Sequence, residues 1–247
     1  MMLEKSISMN IVIGSKNFFA AIGTFVGCLC LGVYFAGVGS VFGIALLYMA
    51  FIGEGVFTII GLNKICNKSL FGEEAYLYMT LPISNINIIL GKIFAGVFWL
   101  GIQMIIIAVV VLFIITDEKT SIWDLLINNL ILQGMTPIEI GISIGITPIL
   151  LILYCALLVG ILLTLQLVLN ILNPRKFKPI INIIVTVLTV AAVLGAMWGE
   201  GKIVENLLED GNLILVLTSL QGVLRLGIIT ILVMICNKIL DKKYCLE

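Results

Sequence analysis

Few residues in this chain have chemistry to offer, and they are widely spaced. There is no histidine, which removes the commonest general base, transition-metal ligand and pH switch together. The six cysteines are Cys28, Cys30, Cys66, Cys155, Cys236 and Cys245, and no CxxC pair occurs. Four lie in apolar runs and two near the ends of runs. They read as small buried hydrophobes, not as a disulfide framework. No GxxxxGK[ST] or HExxH occurs. Gly91-Lys92 lacks the upstream glycine and the Ser/Thr that would cradle phosphate and Mg²⁺. The chain is therefore expected to carry no catalytic residue, no metal site and no cofactor of its own. What remains is a set of polar residues embedded in apolar sequence: Glu54, Gln103, Gln166, Gln221 and Arg225.

The elements that must position them are membrane spans. The chain is 61% hydrophobic and 11% charged, with mean hydropathy +1.24. An average soluble chain is about 25% charged, and no soluble interior holds this much apolar side chain. Six runs are long enough for a bilayer core of about 30 Å: 18–38, 41–62, 93–115, 147–169, 179–198 and 213–236. The expected fold is all-α, a single transmembrane domain over residues 1–247. Residues 1–17 mix Glu4, Lys5, Asn10, Ser15 and Lys16 with Ile, Met and Val, which reads as an N-terminal interfacial helix. The first run is too long for a cleavable signal peptide. Gly23 and Gly27 form a small-residue pair of the kind that lets helices approach closely. Residues 121–146 are broken by Asn128, Asn129, Gln133, Gly134, Pro137 and Glu139, and read as an external interfacial or re-entrant segment. Pro148 then suits the first turn of the fourth span.

Charge counting sets the orientation. With the N-terminus inside, the cytoplasmic segments hold Lys5, Lys16, Lys64, Lys68, Lys92, Arg175, Lys176, Lys178, Lys238, Lys242 and Lys243. The external segments hold only Lys119 and Lys202. This asymmetry places both termini in the cytoplasm.

Glu54 and Arg225 are the ionisable residues deep within expected spans. Glu54 lies 13 residues beyond Val41, and Arg225 lies 12 beyond Leu213. Both counts start at the external side, so the two sit at nearly equal depth. They read either as a structural ion pair or as a polar element of a substrate path. Gln103, Gln166 and Gln221 read as inter-helix hydrogen-bonding groups.

One polar island, residues 70–92, interrupts the apolar sequence. It reads LFGEEAYLYMTLPISNINIILGK. Pro82 disfavours the helical region for Leu81, and Ser84 or Asn85 is the expected N-cap of the next helix. This is a short amphipathic helix, a proline turn and a new helix, all on the cytoplasmic side. The island resembles a segment of the permease subunits of bacterial type-2 ABC transporters of the exporter class. Gly72-Glu73-Glu74, Tyr76-Leu77, Thr80-Leu81-Pro82-Ile83-Ser84 and Gly91-Lys92 carry the resemblance. The close match covers residues 72–92, and the six-span layout extends it loosely to the whole chain.

The resemblance implies a subunit of an ATP-driven exporter in the bacterial inner (plasma) membrane. The island would be a cytoplasmic coupling helix, with Glu73, Glu74, Leu81, Pro82 and Ser84 meeting the partner. ATP and Mg²⁺ would be bound by a separate ATPase subunit, present in two copies. A second permease, identical or related, would complete the assembly within membrane lipid, with no role for nucleic acid. Peptides, lantibiotic-like antimicrobials, lipids and drugs are the substrates it implies. A membrane-embedded enzyme would need catalytic pairs at matched depth, and the sequence supplies no histidine or paired intramembrane carboxylates. A non-transporting assembly or sensor protein is the other reading. An adjacent reading frame with a Walker A motif discriminates between that and a transporter.

Overall fold

A computed structural model describes residues 2–37, 41–71, 84–115, 137–172 and 214–244, with isolated positions between 184 and 195. The described residues form five long helices and no strand. They are α1 (Met2–Gly37), α2 (Val41–Phe71), α3 (Asn85–Ile115), α4 (Pro137–Leu172) and α5 (Ile214–Tyr244). Each contains a stretch long and apolar enough to cross a membrane. Large apolar side chains, including Phe19, Tyr48, Ile52, Phe94, Ile105, Ile152 and Ile231, face outward along all five. Only 11% of the apolar window of α5 is buried within the bundle. In water such a surface would aggregate; in lipid it is the expected exterior, because helices satisfy their own backbone groups. The protein has the architecture of a multi-pass membrane protein.

The helices are longer than the apolar runs that nucleate them. α1 has 36 residues, or roughly 54 Å at 1.5 Å per residue. No break separates residues 2–17 from the apolar run, so the N-terminal segment is not a separate interfacial helix. Ser6 and Asn10 are fully buried, whereas a helix lying on a membrane surface would turn them to water. α4 begins at Pro137, ten residues before the expected fourth span, and Pro148 lies inside it. Residues 137–146 thus continue the fourth span as helix, and the rest of the expected external segment, 121–136, lies outside the described residues. Pro137 takes the first-turn position in which a missing N–H costs nothing. Pro148 deprives the Ile144 carbonyl of its helical donor.

Contacts fix the directions. α1 and α2 are antiparallel: Gly14 lies against Ile65, Gly61 against Phe18, and Gly32 against Leu47. Gly23 and Gly27, the pair singled out from sequence, meet nothing within 4 Å among the described residues. α3 runs parallel to α1, with Gly91 beside Ser6 and Trp99 beside Ile11. α4 packs on α3 through Gly96 and Val159. α5 runs parallel to α4, with Gly222 beside Leu150 and Gly160 beside Leu232. The N-termini of α1 and α3 and the C-termini of α2, α4 and α5 therefore share one end of the bundle, the near end. The main apolar core lies toward it and includes Phe18, Leu62, Ile65, Ile89, Trp99, Leu163 and Leu240. A smaller cluster of Phe25, Leu29 and Ala50 lies further along.

Because α4 and α5 run the same way, the chain leaves α4 at the near end and enters α5 at the far end. Between them Ile184, Val187, Leu188, Ala191 and Gly195 are helical. The remainder of the expected fifth span, 179–198, lies outside the described residues, as do 116–136 and the island residues 72–83.

Candidate functional site

Polar side chains buried inside this apolar bundle are the candidates, and they fall into two groups. The first is at the near end. Lys92 is fully buried. Its Nζ donates to the Ile65 carbonyl of α2 at 2.6 Å and, more weakly, to that of Cys66 at 3.4 Å. A helical carbonyl already bonded to its own helix keeps a second lone pair, so it can accept an ammonium without breaking the helix. The local sequence explains the placement. Ile88 and Ile89 stand four and three residues before Lys92, so all three share one helical face, and all are buried.

Around Lys92 the helices close tightly. A Cβ on Gly91 would overlap the Ser6 Oγ of α1, so a side chain there would force the two helices apart. The Asn10 amide donates to the Ser6 carbonyl at 2.8 Å. The Trp99 indole donates to the Ile11 carbonyl at 3.2 Å and stacks on Phe18, centroids 5.0 Å apart. Gln166 of α4 donates to Asn63 Oδ1 of α2 at 3.0 Å. Asn85 donates to Asp241 Oδ1 of α5 at 2.7 Å. Polar bonds thus connect all five helices at this end.

Ser84 holds the N-cap position of α3. It is the residue before the helix, and its carbonyl accepts from Ile88 N–H at 3.2 Å. Asn85 is the first helical residue. The other expected partner-facing residues, Glu73, Glu74, Leu81 and Pro82, lie outside the described residues.

The second group lies deeper. Gln103 donates from Nε2 to Thr58 Oγ1 of α2 at 2.7 Å. Glu54 stands one turn from Thr58, on the same face of α2, and is 6% exposed. Arg225 is not its partner: no ion pair joins them, which corrects the pairing suggested by their similar depth. α2 and α5 share at most a marginal contact. Arg225 donates to the Leu150 carbonyl of α4 at 3.0 Å and lies over the Tyr154 ring, 5.3 Å from its centroid. Equal depth places residues in one layer of a bundle but not on adjacent helices. Gln221 is half-buried in α5 and joins neither network.

The sequence reading gave Gln103 and Gln166 their inter-helix role. It missed Lys92 as a buried group, treating it as a cytoplasmic charge at the mouth of a span. The signal was the Ile88-Ile89-Lys92 face, which continues the apolar stripe of α3 past the lysine. It also missed Ser6 and Asn10, whose i, i+4 spacing puts both on the inward face of α1.

Among the described residues, no group of three or more metal-ligating side chains gathers. The arrangement offers hydrogen bonding and charge, but no nucleophile–base pair. In comparisons with known proteins, no family model, no curated protein and no solved structure matches this chain.

Proposed function

We propose that this chain is the membrane-spanning permease subunit of a bacterial ATP-driven exporter, working with a separate ATPase. One observation carries the reading beyond the resemblance of residues 72–92. Lys92, the last residue of that segment, ties α3 to the carbonyls of Ile65 and Cys66 on α2. α2 and α3 are the helices that the segment joins. A displacement of the segment would be passed to both as one unit, and through the Gly91–Ser6 contact to α1. That is the mechanical property a coupling element needs if ATPase closure is to rock helices around a central path. The described basic residues Lys5, Lys64, Lys92 and Lys238 lie toward the near end, in keeping with a cytoplasmic placement.

Inspecting the adjacent reading frame for a Walker A motif, then co-expressing its product with this chain and purifying in mild detergent, tests this reading. The two chains should elute together, and hydrolysis should differ from that of the ATPase alone. Single-cysteine labelling adds the orientation. Positions Lys119 and Lys202 should react from outside, and Arg175 and Lys242 should not. External labelling at Arg175 would overturn the six-span, cytoplasm-facing arrangement.

A further inference from the structure

Glu54 is charged at neutral pH in water, yet it is buried in the middle of an apolar helix. Among the described residues, no side chain donates a hydrogen bond or an ion pair to it. The backbone cannot help, because the N–H groups in a helix interior are already committed to the carbonyls of the preceding turn. One turn away, Thr58 Oγ1 accepts from Gln103 Nε2. The other amide atom of that side chain, Oε1, is buried with no partner among the described residues. The two atoms of an amide can be exchanged, but Thr58 meets only one of them in either orientation. A further polar partner is therefore wanted at Gln103. Gly53 and Gly55 flank Glu54, and among the described residues nothing lies within 4 Å of where their Cβ atoms would stand.

A carboxylate, an amide oxygen and a hydroxyl thus lie within about one helical turn of one another on α2 and α3, with one formal negative charge and no cation on them among the described residues. Hard cations take oxygen ligands. A divalent ion such as Ca²⁺ collects about 6–8 of them, usually with several carboxylates. One carboxylate with two neutral oxygens matches a single positive charge instead. Intramembrane ionisable groups of this kind mark ion and substrate pathways. We propose that Glu54, Thr58 and Gln103 form a binding site for a monovalent cation. The cation is either an alkali ion or the ammonium group of an organic molecule. On the transporter reading, on which this extension to substrate rests, the site gives the path a preference for cationic groups. The binding itself is a property of the permease alone, so its failure and the failure of that reading are separable.

The test uses the full chain in lipid nanodiscs without an ATPase. Thermal unfolding is followed at fixed pH and ionic strength, replacing choline chloride stepwise by NaCl, KCl or methylammonium chloride. Choline serves as the reference because its quaternary nitrogen has no N–H to donate. The midpoint should rise saturably with at least one of the three cations. A response to Na⁺ or K⁺ alone assigns an inorganic ion, and a response to methylammonium assigns an ammonium group. Glu54→Gln should abolish the rise, and Gln103→Leu should raise the half-saturating concentration at least tenfold. Wild-type midpoints that match those in choline, or an undiminished rise in Glu54→Gln, would overturn the proposal. Should Glu54→Gln not yield folded protein, Gln103→Leu decides alone, and an unchanged half-saturation would overturn it.

Discussion

Lys92 and Glu54 are both ionisable, both buried and both inside apolar helices, yet the bundle treats them differently. Lys92 finds two carbonyls on the neighbouring helix. Glu54 finds no donor among the described residues. Several other donors are met in the same way as Lys92. Arg225 uses the Leu150 carbonyl, Trp99 that of Ile11, and Thr24, Thr164 and Thr230 use carbonyls of their own helices. Among the described residues, the amide oxygens Asn10 Oδ1 and Gln103 Oε1 are buried without partners, as is the Ser6 hydroxyl. The physical reason is an asymmetry of the helix itself. Each carbonyl has a spare lone pair after its helical bond, but each N–H has only one proton. A helical bundle can absorb buried cations with its backbone, whereas a buried anion needs a side chain, a ligand or a proton. The near end therefore holds its buried cation with backbone carbonyls, whereas the Glu54 carboxylate has no donor among the described residues.

The largest effect should come from reversing the charge at the near end. Lys92→Glu sets a carboxylate against the carbonyls of Ile65 and Cys66, with no donor to meet it. An unpaired buried charge is among the costliest changes a protein can suffer. Essentially no monodisperse protein should survive detergent extraction and size exclusion. Wild-type yield would mean that the Lys92 contacts do not hold the near end together.

A smaller loss is expected from filling the α1–α3 contact. Gly91→Ala drives a methyl into Ser6 Oγ, and overpacking of this kind costs about 1–3 kcal/mol. Ser6→Gly in the same chain should recover much of it. Thermal unfolding of the four variants measures the coupling. Equal losses in the single and double variants would show that the helices are separated by some other contact.

The smallest quantity is a coupling energy, and it sharpens the contrast between the two regions. Arg225→Gln gives up charge-assisted bonding, worth about 1.5–3 kcal/mol. Glu54→Gln removes an unpaired charge and should leave stability unchanged or raised when no bound cation is present. The two changes should be additive within about 0.5 kcal/mol, as expected for residues that share no partner. A larger coupling in the double-mutant cycle would mean that Glu54 and Arg225 meet.

Much of the architecture was legible because hydropathy and length leave few choices in a membrane. Within the described residues, the apolar runs at 18–38, 41–62, 93–115, 147–169 and 213–236 are helical. The ends were not legible. Helices continue past the apolar run wherever neighbours bury the polar residues that follow it. Ser6, Asn10 and Lys92 are buried by partners distant in sequence, and run length carries no trace of them. The Glu54–Arg225 pairing failed for a related reason: depth follows from residue counting, but adjacency follows from packing. The chemistry at Gln103 and Gln166 was legible in kind, since an amide inside a span must bond to something. Their partners Thr58 and Asn63 were not, because only helix rotation decides them.

The proposal that residues 72–92 couple this bundle to an ATPase is tested most directly by hydrolysis in the reconstituted complex. The variant is Pro82→Ala with Glu73→Lys and Glu74→Lys, which removes the expected turn and reverses the charge of the segment but leaves Lys92 and its contacts intact. The altered permease should insert and fold as the wild type does, while the ATPase either fails to co-elute or hydrolyses ATP at the rate it shows alone. Unchanged association together with unchanged permease-dependent hydrolysis would contradict the account.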